Sequence, residues 1–153
     1  MSEHERHDRA TVEVHLGALL VQVSDAIEEH VEGTAQADIR RAIDMRAHPG
    51  DEALALLIDQ LLTHCITLAN GVGEIPAGRR PQRGTAAVEH WAELRTAGPA
   101  DGPVGTWSYA RQLACVARDM LRAIDDYRHT PARRADGAFV ARPGLPILAP
   151  DAR

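Results

Sequence analysis

Val12, Leu16, Leu19, Val23, Ile27 and Val31 recur at steps of three and four residues. The same spacing returns in Leu54, Leu57, Ile58, Leu61, Leu62, Cys65 and Leu68, and in Tyr109, Leu113, Val116, Met120 and Ile124. This is the repeat of one face of an α-helix, not the alternation of a strand. It constrains the fold more than any other feature. Aromatic residues make up only 3% of the chain against 44% hydrophobic residues, so any core must be Ala, Leu, Val and Ile. Such a mixture suits closely packed helices better than sheets, which favour aromatic and β-branched side chains.

The expected fold is all-α: a single-domain helical bundle of four to five helices over residues 11–128. A mobile N-terminus (1–10) precedes it, and a Pro/Arg-rich tail (129–153), disordered or draped over the surface, follows. The first helix is read from about Thr11 to Val31, with Gly33 as its stop. A second follows from Ala35 to Ala47 with Thr34 as N-cap, and ends at His48-Pro49-Gly50. Asp51 caps a third, to about Asn70. GVGEIPAGRRPQRG reads as a loop. A fourth helix spans Thr85–Thr96 and a fifth Thr106–Arg128.

Several function classes drop out. All 17 basic residues are Arg, so no lysine can form a Schiff base. The formal charge of −5 argues against a nucleic-acid face, although the Arg residues cluster late in the chain. No apolar run reads as a membrane span, and MSEHERHDRA lacks a signal core. With two cysteines and no Cys framework, the expectation is a cytoplasmic protein with reduced thiols. His-Glu-x-x-His, Glu-x-x-His and a strand-linked glycine fingerprint are all missing, so no metal or cofactor is expected.

LLTHCITLAN, residues 61–70, sets an imidazole beside a thiol. On a helical wheel Cys65 joins the buried leucines, while Asp59, Gln60, Thr63, His64, Thr67 and Asn70 share the other side. Adjacent residues do not face each other on a helix, so His64 and Cys65 are not a catalytic pair. That polar arc has one charge, Asp59, where a solvated face usually has several. It reads as a mildly polar exposed face, a subunit contact, or the wall of a ligand pocket with Asp59 and His64 as proton-transfer groups.

His30 lies near the end of the first helix, where it would meet the helix dipole or act as a further acid/base. On the fifth helix Cys115 shares the charged face with Arg111 and Arg118. Arg111 is a candidate for a substrate phosphate or carboxylate. Trp107, at the start of that helix, packs under a loop or walls a pocket. The candidate catalytic groups are thus Asp59, His64 and His30; Thr63, Thr67, Trp107, Tyr109 and Arg111 are candidates for substrate binding. Val14 and Val21 form a second apolar strip that a partner chain or the tail would cover.

YARQLACVARDMLRAIDDY, Tyr109–Tyr127, resembles the final helix of a family of small uncharacterised actinobacterial proteins associated with natural-product biosynthesis. There a Tyr/His-Ala-x-x-Leu-Ala start leads to an Asp-x-Tyr-like end. Tyr109, Ala110, Leu113, Ala114, Asp125 or Asp126, and Tyr127 stand at those positions. LLTHCITLANGV and EHWAELRTAGP resemble the family's earlier helices. The resemblance covers roughly Ile39–Tyr127 and implies an all-α fold and a biosynthetic setting, without catalytic residues. Two functions follow as expectations. One is a small-molecule-binding protein acting on a biosynthetic intermediate, as a cofactor-independent cyclase or isomerase. The other is a non-enzymatic adaptor or regulator, working as a homodimer or with a partner biosynthetic enzyme.

Overall fold

The computed structural model describes residues 3–130, with side chains from His15 onward. The sequence expectation for the tail lies outside the described residues, save that its first two residues, His129 and Thr130, end and cap the last helix. Four helices follow in order: α1 (Glu3–Asp44), α2 (Asp51–Glu74), α3 (Gln82–Ala97) and α4 (Gly102–His129). A 3₁₀ turn, Ala77–Arg79, lies between α2 and α3. No strand occurs among the described residues, and the all-α bundle is confirmed.

Its axis is α4, which packs against each of the other helices. Arg128 reaches Glu28 and Glu32 at one end, and Trp107 and Arg111 share a dent with residues 43–46 at the other, so α4 runs antiparallel to α1. The Tyr109 hydroxyl donates to the Leu94 carbonyl, and Ala123 approaches Gly84, so α3 is also antiparallel to α4. Ala110, Ala114, Ala117 and Ala123 are fully buried on α4. These short side chains let three helices approach one axis closely, which a Leu-only face would prevent. Gly71 and Gly84 serve the same approach from the other side. A Cβ on Gly84 would lie 2.9 Å from the Ala123 Cβ, and one on Gly71 would lie 3.0 Å from Ile124 Cδ1.

The expected core of the later helices is the observed one. Leu54, Leu57, Leu61, Cys65 and Leu68 are buried on α2, Trp91 and Leu94 on α3, and Tyr109, Leu113, Val116, Met120 and Ile124 on α4. α2 is longer than expected because Gly71-Val72-Gly73-Glu74 continues it, and Val72 is buried. Over one window α2 reaches a mean hydropathy of 1.4, long and apolar enough by composition to cross a membrane, contrary to the reading that no segment is. Its one buried stripe faces the other helices of the bundle. Gly50, at φ +98°, provides the turn into α2, and Asp51 is the first helical residue rather than the cap. Only glycine adopts that backbone conformation without strain.

The first 44 residues overturn two expectations. The two helices expected there are one, about 63 Å long at 1.5 Å per residue. Gly33 is not a stop: a mid-helix glycine costs only about 1 kcal/mol, and no proline or turn sequence follows it. Thr34 does not cap; its hydroxyl donates to the His30 carbonyl one turn back, at 3.0 Å. The second correction concerns burial. From His15 on, only Ala35, Ile39 and Ala42 of α1 are buried, and every residue from His15 to Val31 is exposed. The apolar stripe read as a core face therefore projects beyond the bundle.

Candidate functional site

The groups expected to form one pocket are dispersed, some on the surface and some in the core. Asp59 is exposed, and its backbone carbonyl accepts the Thr63 hydroxyl at 3.0 Å. The Thr67 hydroxyl donates to the Thr63 carbonyl at 3.2 Å. Both threonines thus satisfy their hydroxyls on their own helix, a local bond open to any helical Thr. Tyr109 is in the core, where burial raises its phenol pKa, with proximity to Cys65 adding to this. It cannot meet a ligand without opening the α3–α4 contact. His30 is exposed in mid-helix, because α1 does not end beside it, so the dipole role has no basis.

Three open concavities stand out among the described residues. One is a dent on α1 lined by Ala26, Glu29, His30, Gly33, Thr34, Ala37 and Asp38. A second is an apolar groove where the ends of α2 and α4 meet α1; it holds Thr67 with Ile27, Val31, Leu68, Ile124 and Tyr127. The third holds Trp107 and Arg111 with Ile43, Asp44, Met45 and Arg46. Trp107 lines the third, and its ring stands edge-on to His48 at 6.1 Å. None of the three holds two of Asp59, His64, His30 and Tyr109.

The structure does assemble one polar pair that sequence reasoning missed. His64 Nε2 donates to Asp38 Oδ2 at 2.9 Å, joining α2 to α1. The two side chains are only 12% and 14% exposed. His64 was selected for its place on the α2 wheel. Asp38 lies 26 residues earlier, in a segment with no feature that marks it. The pair sits where α1 enters the bundle, at the edge of the dent containing His30. A histidine held by a carboxylate can shuttle a proton, and it can equally lock two helices in register.

Cys65 is fully buried, its thiol donating to the Leu113 carbonyl at 3.6 Å, and burial pushes its pKa up to about 12. It is a core residue, as the wheel implied. Among the described residues no three His, Cys, Asp or Glu side chains converge on a point that would hold a metal ion.

The largest departure from an ordinary bundle surface is the projecting half of α1. Leu16, Leu19, Leu20, Val23 and Ile27 are 46–63% exposed along one side of the helix. Glu28 and Glu32, at its root, accept hydrogen bonds from Arg128, the Glu28 bond at 3.3 Å. These contacts tie the root of the arm to the end of α4. The molecule is thus a compact four-helix base bearing one long, apolar-striped arm. The chain belongs to a family of unknown function (DUF6415), matched over residues 33–129. That match begins where α1 joins the bundle and ends with α4, so it spans the base and leaves out the arm. No curated protein and no solved structure matches the chain.

Proposed function

We propose that this chain is an interaction protein: the bundle is a folded base and the projecting half of α1 is its binding element. The observation that carries this reading is the exposed stripe from Leu16 to Val23, which has no partner among the described residues. Soluble monomers rarely leave so long an apolar strip in water. An amphipathic helix presenting residues at steps of three and four is a recurrent way to engage another protein. The resemblance to natural-product-associated proteins supports a setting in a biosynthetic cluster, with a biosynthetic enzyme or regulator as the protein served. Affinity capture from the source organism tests this. The full chain should retain partner proteins that a Leu20→Glu, Ile27→Glu variant loses, and identical captured sets would refute the reading.

A second reading rests on the Asp38–His64 pair. In it the dent beside His30 takes a small biosynthetic intermediate, and His64, held by Asp38, moves the proton in a cofactor-independent cyclisation or isomerisation. His64→Gln separates this from a structural clamp. An acid/base role predicts loss of turnover with the melting temperature nearly kept. A clamp predicts a fall of several degrees, from the loss of a hydrogen bond worth about 1.5–3 kcal/mol.

A further inference from the structure

We infer that the dent between the end of α1 and the start of α4 binds a small organic monocarboxylate. Its carboxylate lies on Arg46 and Arg111, and its apolar body on Trp107, Ile43 and Met45. Neither reading above is needed for it. Three observations lead to it.

The first is the lining. Ile43 and Asp44 come from the last turn of α1, Met45 and Arg46 from the chain just after it, and Trp107 and Arg111 from successive turns of α4. Trp107 and Arg111 were candidates on sequence grounds; the fold adds Arg46. The dent has a volume of about 720 Å³, within the range of about 300–1,000 Å³ usual for small-molecule sites. Arg83, Arg118 and Arg128 each hold a carboxylate. Arg46 and Arg111 form no ion pair among the described residues, even though Asp44 shares the dent with them. Both are exposed, so their side chains are free to close round a ligand.

The second is a pair of unused donors. Trp107 Nε1 is buried with no hydrogen-bond partner among the described residues. An indole N–H donates and never accepts. His48, whose ring meets Trp107 edge-on, is in the same position. Its Nδ1 accepts the Gly50 N–H at 3.1 Å, which puts the proton of the neutral ring on Nε2. Nε2 is buried without a hydrogen-bond partner, and Asp51 Oδ1, at 3.8 Å, is too far to serve as one. Only four buried side-chain polar atoms among the described residues lack a partner, and two of them belong to these adjoining rings. A buried N–H without an acceptor keeps its whole desolvation cost. Both rings call for an acceptor, which a carboxylate supplies and an amine does not.

The third is charge. Two arginines against Asp44 leave one net positive charge on the dent. That balances one negative charge and disfavours a phosphate dianion. The planar fork of an arginine fits a carboxylate with two parallel hydrogen bonds. The Ile43, Met45 and Trp107 side chains give the rest of the ligand an apolar seat.

Octanoate is the probe, followed through the indole N–H resonances of the isotope-labelled full chain. There are two tryptophans, and Trp107→Phe tells their signals apart. Octanoate at millimolar concentration should shift the Trp107 signal saturably, as its N–H gains an acceptor, and leave that of Trp91, in the core, in place. Arg46→Gln and Arg111→Gln should each weaken the apparent affinity about tenfold, through loss of a charge-assisted contact. Both residues are exposed, so the fold should persist. Octanamide, equally long but uncharged, should bind at least about tenfold more weakly. Equal shifts with octanamide would overturn the carboxylate. Equal shifts with inorganic phosphate would overturn the apolar monoanion. A Trp107 signal that stays in place, or that moves identically in the Arg46→Gln, Arg111→Gln double variant, would overturn the site.

Discussion

Removing residues 1–32 should leave a folded bundle. The arm's contribution to the base can be worked from its contacts. The deletion removes Glu28 and Glu32, whose bonds to Arg128 are surface ion pairs with side chains 59% and 25% exposed on the acid side and 42% on the arginine. Such pairs contribute about 0–1 kcal/mol each after solvent screening. It also removes Ile27 and Val31, which cover the groove over Leu68 and Ile124 but are themselves 58% and 39% exposed. Half-burying an aliphatic side chain is worth about 1 kcal/mol. The expected cost is therefore about 2–4 kcal/mol, with cooperative unfolding retained. Leu61→Ala is the control: its side chain is fully buried, so one core truncation should cost about 2–5 kcal/mol, as much as losing the whole arm. The assay is urea unfolding followed by circular dichroism, with a Leu16→Glu, Leu19→Glu variant of the full chain as reference so that association does not enter. Non-cooperative melting of the truncated chain, or a loss well above 4 kcal/mol, would refute the argument that the base is complete without the arm.

The cysteines supply two further expectations. Cys65, with its pKa pushed up to about 12 by burial, should resist thiol reagents in the folded protein at pH 8 and react only after unfolding, while the partly exposed Cys115 reacts first. Equal rates would contradict the packing at Leu113. The same shift fixes a pH dependence. A folded pKa above the unfolded value of about 9 means that the folded state holds the proton more tightly. The contribution is fully present below pH 9 and is lost as pH rises towards 12, so Cys65→Ala should flatten the alkaline side of the stability profile.

The cores of α2 and α4 were legible in the sequence because the burial pattern of a helix is written at short range. Leu54 to Leu68 and Tyr109 to Ile124 each carry the helical repeat, with a polar opposite face. The unreactive role of Cys65 followed from the same wheel. The chain also spelled out the stripe on α1, since steps of three and four state that one face is apolar. They do not state what that face meets. A core face and a docking face obey the same rule, because both are apolar surface avoiding water. Only the tertiary structure decided between them. α4 takes α1 through Ala35, Ile39 and Ala42, and Ile27 and Val31 meet the bundle only at its rim. Leu16 to Val23 are left beyond the ends of α2 and α4, with no helix to reach them. The same holds for the Asp38–His64 pair. Its members are 26 residues apart, and their meeting depends on the register of α1 against α2, which is set by packing and not by any local signal.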